Sequence, residues 1–224
     1  MQSYGLHSLD LKMLKYLNYH NGFFIECGAN DGISQSNTKM YEESFGWKGI
    51  LIEASPSVYE LCVKNRPESI VYNCCLVDSD DVKEIEGDFD GHLMSSVNGK
   101  RLNSTNLIKV PSRTLSSILN ENSVEEIDFF SLDVEGYEYN VLMGLDFDRW
   151  SPKFILVEIT NNFDIVNDLL TSKGYELIEN QNGHGISNFN KFEHPGWDES
   201  HNDYLYQYKN KNKNGKCLRP QTYR

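Results

Sequence analysis

The 224-residue sequence contains no uninterrupted apolar window of about 18 residues, which excludes a membrane-spanning helix. No positively charged segment precedes an apolar run near Met1, so no secretory signal peptide is expected. The five cysteines, Cys27, Cys62, Cys74, Cys75 and Cys217, lack Cys-x-x-Cys spacing, and a zinc site is not expected. Cys27 and the adjacent Cys74 and Cys75 fall in apolar runs. That is the pattern of reduced, buried thiols, and it makes the cytoplasm the expected compartment. Basic charge is scarce: 21 Lys and Arg stand against 33 Asp and Glu, a formal net charge of −12. A protein that grips a nucleic-acid backbone carries the opposite balance, so nucleic acid is not the expected partner.

What the sequence does have is a regular alternation of short apolar runs and amphipathic segments. The runs at 23–27, 47–53, 70–77, 127–132, 154–159, 175–178 and 204–208 read as strands. Between them, helices are expected after a Ser8 cap (Leu9, Met13 and Leu17 on one face), from Ser36-Asn37-Thr38 to Phe45, and over 56–65 with Pro56 in the first turn. Further helices are expected over 112–120, 137–145 and 163–173, the last stopped by Gly174. Residues 78–106 are polar and glycine-containing and read as an inserted loop region with a hairpin, followed by a returning strand over 107–110. The alternation predicts an α/β, Rossmann-like fold: a mostly parallel seven-stranded sheet with helices on both faces. The length suits one such domain, residues 1–208, with 209–224 as a lysine- and asparagine-rich tail.

In an open α/β sheet the ligand lies over the carboxyl ends of the strands. Here acidic residues recur at four of those ends: Glu26, Glu53, Asp133 with Glu135, and Glu158. So many carboxylates would repel a pyrophosphate. They suit S-adenosylmethionine, which carries a sulfonium, an ammonium and a ribose diol and no phosphate. The first strand runs into Gly28-Ala29-Asn30-Asp31-Gly32, a turn that lacks the second glycine of G-x-G-x-x-G. Glu53 follows about 25 residues later at the next strand end, the spacing of a carboxylate that accepts both ribose hydroxyls. Ser36-Asn37-Thr38 serves equally as a helix cap or as a contact to the methionine carboxylate. Asp78, after the third strand, stands where such folds place an adenine contact.

Three stretches carry a resemblance to a known family. They are residues 22–32 (GFFIECGANDG) with Ser36-Asn37-Thr38, residues 46–56 (GWKGILIEASP), and residues 127–138 (IDFFSLDVEGYE). They resemble the glycine loop, the acid-ended second strand and the Asp-Val-Glu-Gly-x-Glu signature of the FkbM-type methyltransferases, in matching order over roughly residues 20–160. The resemblance implies S-adenosylmethionine as cofactor and, commonly, O-methylation of sugars or natural products. A small-molecule or glycan acceptor is therefore the expected partner. The family more often has a proline directly after the acid, where this chain has Ala54-Ser55-Pro56.

Methyl transfer to an alcohol needs a proton acceptor, because the hydroxyl is barely ionised at neutral pH. Asp133 leads the candidates, with Glu135, Glu158 and His184 behind it. If the strand continued past Leu132, alternation would put Asp133 and Glu135 on one side, where mutual repulsion would raise the pKa of one. Glu138 reads as a partner of the following helix N-terminus, and His184 as a solvated loop histidine. Asp133 and Glu158 could give two ligands to a magnesium ion, but no Asp-Asn pair follows the fifth strand and no metal is expected. Against the O-methyltransferase stand an RNA ribose methyltransferase, disfavoured by charge; a non-catalytic binding protein, disfavoured by the intact loop and the Asp133–Glu135 pair; and a nicotinamide oxidoreductase, disfavoured by the glycine pattern.

Overall fold

The computed structural model describes residues 1–160, 162–178 and 202–209. A 3-10 turn at Leu6–Ser8 leads into two one-turn helices, α1 (Leu9–Lys12) and α2 (Leu14–Leu17). Then follow β1 (Phe23–Cys27), α3 (Lys39–Phe45), β2 (Lys48–Glu53), α4 (Pro56–Asn65), β3 (Ile70–Asn73), β4 (Cys75–Leu76), β5 (Glu84–Gly87) and β6 (Ile108–Arg113). The chain continues through α5 (Leu115–Glu121), β7 (Phe129–Leu132), α6 (Glu138–Met143), β8 (Phe154–Ile159), α7 (Phe163–Ser172), β9 (Tyr175–Leu177) and β10 (Asn202–Tyr208).

Seven strands form one sheet in the order β3-β2-β1-β7-β8-β10-β9. The pairings among β3, β2, β1, β7 and β8 are parallel, and β10 runs antiparallel to both β8 and β9. This is the expected Rossmann-like architecture. The central strands are apolar at almost every position because both faces are covered. Ile25, Ile50, Ile52, Phe130, Leu132, Ile155 and Val157 pack with residues of α5, α6 and α7 on one face. Phe24, Leu51, Phe129 and Leu156 pack with Leu9, Met13, Met40 and Tyr41 on the other. The period of two assigns alternate residues to the two cores.

The same period explains where the polar residues go. Glu26, Ser131 and Glu158 continue the second face beyond Phe24, Phe129 and Leu156. Glu26 pairs in register with Ser131, and Glu158 pairs with Asp203 of β10. One face of the sheet therefore ends, at its carboxyl edge, in a buried polar row.

Several boundaries differ from the sequence expectation for identifiable reasons. The run 70–77 is not one strand. It breaks at Cys74, where Asn73 Nδ2 donates to the carbonyls of Glu53 (2.9 Å) and Ala54 (3.0 Å). Cys75 and Leu76 then leave the main sheet and pair with Ser112 and Arg113, forming a second sheet in the order β4-β6-β5. Ser112 thus belongs to a strand, and α5 starts later, with Thr114 Oγ1 accepting from Ser117 N (3.1 Å) as its cap. Ser8 does not cap α1: its backbone is left-handed (φ 60) and its side chain makes no capping bond. Thr38 precedes α3 without capping it, and Ser36 Oγ accepts from Lys39 N (3.0 Å) instead. The expected hairpin in 78–106 is present as β5 with an antiparallel bridge between Gly87 and Val97. His184 and residues 210–224 lie outside the described residues.

Beneath the polar row sits Arg66, with no exposed surface. Its guanidinium donates to Glu42 Oε1 (3.1 Å), the Gly32 carbonyl (3.1 Å), Ser36 Oγ (3.2 Å) and Thr38 Oγ1 (3.1 Å), and lies 3.6 Å from Glu26 Oε2. Removing it would leave the buried Glu26 without its cation, and Glu42 with Lys39 alone at 3.4 Å. Arg66→Met is expected to destabilise the fold by about 3–5 kcal/mol, the scale for breaking a buried ion pair. Urea unfolding of the two proteins measures this, and a difference within about 1 kcal/mol would show that the network contributes little.

Candidate active site

A cavity of about 360 Å³ opens over the carboxyl ends of β1, β2, β7 and β8. Of the residues singled out in the sequence, Gly28, Ala29, Asn30, Ser36, Glu53, Asp133, Glu135 and Glu158 line it. Gly28 lets the first loop reach this position. Its φ is +80°, and a Cβ there would stand 1.8 Å from the Asp133 carbonyl, so only glycine allows the ends of β1 and β7 to approach this closely.

Glu53 ends β2 at the cavity wall. Its two oxygens accept from Asn30 N (2.8 Å) and Ser55 N (2.7 Å). These bonds fix the carboxylate and leave each oxygen lone pairs for further donors. Burial pushes its pKa up, against the pull of the three backbone donors of Ser55, Asn30 and Ala54. Beside it, Ile52, Val58, Cys74, Cys75, Phe89 and Val97 make an apolar slot.

At the other end stand Asp133, Glu135 and Glu158. One oxygen of each lies within 4.8 Å of the others. Asp133 follows the last residue of β7. Glu135 enters the cavity through the turn at Gly136. The strand stops at Leu132, and a left-handed Glu135 (φ 54) followed by Gly136 (φ 98) turns the side chain inward, so strand alternation does not place it. Burial, and then the charge of Glu135, hold Asp133 well above the usual carboxylate range. Burial and the charge of Asp133 do the same to Glu158. Burial raises Glu135 too, and the Arg101 cation partly offsets it: Arg101 Nε lies 2.9 Å from Glu135 Oε2. Burial is thus the first cause and repulsion the second. Asp133 Oδ1 is buried without a hydrogen-bond partner. Hard oxygens at this spacing answer their repulsion by sharing protons or by holding a divalent cation.

Other expected contacts lie elsewhere. Glu26 does not reach the cavity. Its oxygens accept from Ser36 Oγ (2.8 Å), Asn37 N (2.7 Å) and Thr38 Oγ1 (2.6 Å), so it braces the Ser36–Thr38 turn from below and Thr38 is turned away with it. Asp31 spends its carboxylate on Ile33 N, Ser34 N and Ser34 Oγ within its own turn. Gly32 packs on Arg66, where a Cβ would meet Cγ at 2.7 Å. Asn37 lines a smaller adjoining cavity of about 20 Å³ with Ser131, Asp133, Glu158 and Asp203. Asp78 is exposed and outside the cavity, because the break at Cys74 redirects the chain, and Cys74 and Cys75 line the wall in its place. Glu138 is buried (2% exposed) at the start of α6 and accepts from Gly136 N (2.8 Å).

The sequence reading did not single out the residues of the insertion. Phe89, His92, Ser95, Ser96 and Arg101 close the cavity opposite the strand ends. The one available signal was Lys100-Arg101, the sole adjacent pair of basic residues in an acidic chain.

This sheet order, with a carboxylate-ended second strand over a cavity at the strand ends, defines a class I S-adenosylmethionine-dependent methyltransferase. Residues 26–177 match the methyltransferase FkbM domain, and the chain belongs to that family. No curated protein sequence matches the chain. Among solved structures, the precorrin-6y C5,15-methyltransferase of Geobacter metallireducens is similar at 9% identity, over 91% of this chain and 88% of that one, with a TM-score of 0.50. A methyltransferase of Pyrococcus furiosus is 14% identical over 92% of this chain and 86% of that one, with a TM-score of 0.47. At such identities the first likeness concerns the fold alone. Among the described residues, no helix is long and apolar enough to cross a membrane.

The residues fit S-adenosylmethionine on two counts. Glu53 has acceptor capacity left for a diol beside an apolar slot, and the unpartnered Asp133 Oδ1 belongs to an acidic end suited to cationic groups.

The buried acids give a pH dependence. Burial raises Glu138 from 4.5 to about 7 and Asp203 from 3.8 to about 7. A folded-state pKa above the unfolded one gives stability that is fully present below the unfolded pKa, at about pH 4, and is lost progressively as pH rises from there through about 7. The melting temperature of the unliganded protein should therefore lose this contribution between about pH 5 and about pH 7, and Asp203→Asn should change the slope in that range. Equal slopes for the two proteins would mean that Asp203 stays ionised throughout.

Proposed function

We propose that the protein transfers a methyl group to a hydroxyl of a sugar, a glycan or another small molecule, with the Asp133–Glu135 pair taking the hydroxyl proton. The observation that carries this reading is the cluster of Asp133, Glu135 and Glu158 at the end of the cavity opposite the apolar slot. S-adenosylmethionine, when bound, supplies an electrophilic methyl on its sulfonium. The chain's own residues supply binding, orientation and proton transfer.

Glu53, fixed by two backbone N–H groups, would accept the ribose hydroxyls, with Gly28, Ala29 and Asn30 forming the adjoining wall. Ser36, held on Glu26, closes the same side. At the acidic end, burial first and mutual repulsion second disfavour ionisation of all three carboxyls together, which would leave protonated and ionised members side by side. An ionised member within reach of a hydroxyl accepts its proton, and its neighbours redistribute the charge. The acidic lining favours a neutral or cationic acceptor and works against a nucleic-acid backbone. The four described cysteines are free and buried, which fits a reducing compartment such as the cytoplasm.

Glu53→Ala should weaken binding of S-adenosylhomocysteine at least about tenfold, the equivalent of the roughly 1.5–3 kcal/mol that hydrogen bonds to a charged group contribute. Calorimetry measures this, with circular dichroism to establish that the variant is folded. An unchanged dissociation constant would reduce Glu53 to a brace for Asn30 and Ser55.

For the proton acceptor, the test is methyl transfer from radiolabelled S-adenosylmethionine to a panel of monosaccharides, glycosides and simple alcohols. Asp133→Asn and Glu135→Gln should each lower turnover of whichever acceptor the unmodified protein uses by about a hundredfold, the scale for a lost general base. S-adenosylhomocysteine should still bind at least one of them. Near-normal turnover in both, with a lowered melting temperature, would make the pair structural.

A further inference from the structure

The insertion between β4 and β6 delivers one cation to the acidic end of the cavity. Its geometry is built rather than incidental. Asp88 and Ser96 are almost fully buried (1% and 2% exposed), and Asp88 Oδ1 accepts from Ser96 N (2.6 Å). Ser96 Oγ in turn accepts from Arg101 N (2.9 Å). Asn98 N donates to the Glu86 carbonyl (2.9 Å) and Gly87 bridges Val97, so this turn is tied to β5, and β5 is paired along its length with β6. A chain of hydrogen bonds, passing through the Asp88 carboxylate and the Ser96 hydroxyl, therefore runs from the second sheet to the Arg101 backbone.

Arg101 faces Glu135 at 2.9 Å, with side chains only 21% and 12% exposed. The two atoms form no hydrogen bond of good geometry, so the attraction between them is one of charge. An exposed salt bridge contributes little, but this one is mostly withdrawn from water, where a cation acts more strongly on its partner. The titratable and charged groups around Glu135 are Arg101, His92 and Asp88 of the insertion, Asp133 and Glu138 of its own segment, and Glu158 of β8. Among the acids, Asp133 and Glu158 favour their protonated forms and have each other as neighbours. Glu135 has the Arg101 guanidinium set against it.

We propose that Arg101 is a positioning residue, which holds Glu135 turned into the cavity and ionised, so that Glu135 and not Asp133 is the member of the pair that takes the acceptor's proton. This rests on the reading of the pair given above. It also gives the insertion a part in the reaction: the segment that closes the acceptor side carries the charge that prepares the base. Arg101 itself touches no reacting atom.

The test begins with a readout that needs no acceptor. In protein labelled with ¹³C-glutamate, the Glu135 carboxyl resonance is assigned by its loss in Glu135→Gln and titrated in the unmodified protein, Arg101→Gln and Arg101→Lys. The expected result is a midpoint at least about one pH unit higher in Arg101→Gln, because the cation that favours the carboxylate is gone, with most of the shift reversed in Arg101→Lys. S-adenosylhomocysteine should bind Arg101→Gln within about threefold of the unmodified protein. With the acceptor found in the panel, kcat at neutral pH should fall about tenfold and the acidic limb of its pH profile should move upward with the midpoint. An unchanged midpoint and profile in Arg101→Gln, while Glu135→Gln is inactive, would overturn the proposal and leave the reading of the pair standing. Full turnover in Glu135→Gln would overturn the role of Glu135, and the proposal with it. Joint loss of S-adenosylhomocysteine binding and of melting temperature in Arg101→Gln would make Arg101 a structural brace and equally overturn it.

Discussion

Glu26 is 4% exposed, and three donors from Ser36, Asn37 and Thr38 converge on its two oxygens. A carboxylate at that depth is costly unless its charge is answered, and Arg66 answers it while also holding Gly32, Ser36, Thr38 and Glu42. One buried ion pair therefore ties the end of β1 to the loop after it, to the start of α3 and to the residue following α4. The loop from Gly28 to Thr38 contains no regular secondary structure of its own. Its shape is imposed from beneath by this network, and one wall of the cavity is imposed with it. The sequence feature that looked like a ligand contact is thus the foundation of the site rather than its surface.

The acidic end of the cavity crowds more carboxyls together, with Arg101 set against Glu135 and the charge of Lys12 acting on Asp203. Glu158 and Asp203 face each other across β8 and β10, Asp133 stands beside Glu158, and one guanidinium serves the group from the insertion. Packing of this kind works against stability at neutral pH, because several carboxyls must hold protons that water would remove. The strand ends cannot relax away from it. Phe129, Phe130, Ile155 and Val157 lock the strands into the two cores on either side of the sheet, and the parallel register carries the acids with them. The fold spends core stability on holding reactive groups in a place they would not choose alone, a pattern usual for catalytic sites.

Much of this was legible in the sequence where a single physical rule governs. Strands covered on both faces must be apolar throughout, so β1, β2, β7 and β8 stand out, and the carboxylates at their ends follow directly. Glu53 is found this way because β2 ends where its apolar run ends. Legibility fails where a side chain's role depends on a turn or a distant segment. Cys74, Cys75, Leu76 and Val77 read as a continuation of β3, and only the hydrogen bonds of Asn73 to the Glu53 and Ala54 carbonyls reveal that the chain leaves the sheet and takes Asp78 away from the cavity. Glu135 depends on a left-handed backbone that non-glycine residues seldom adopt. Arg101 is 34 residues before Glu135 in sequence, and no periodicity connects them.

These two kinds of residue divide the cavity along a physical line. The half formed by β1, β2 and their loops is built on parallel strands and a buried ion pair, so its geometry tolerates little change; a Cβ at Gly28 alone would collide with the Asp133 backbone. Residues 88–101 cover both ends of the cavity, with Phe89 and Val97 beside Glu53 and Arg101 beside Glu135, and they are held by a small sheet and by the turn that Asp88 and Ser96 brace. Strand β5 of the insertion pairs only within the small sheet, so the insertion takes no part in the hydrogen bonding of the main sheet. In this chain Glu53, Asp133 and Glu158 are carried by the ends of the main sheet, whereas the insertion reaches them from the other side, with Phe89 and Val97 beside the apolar slot and Arg101 across to Glu135.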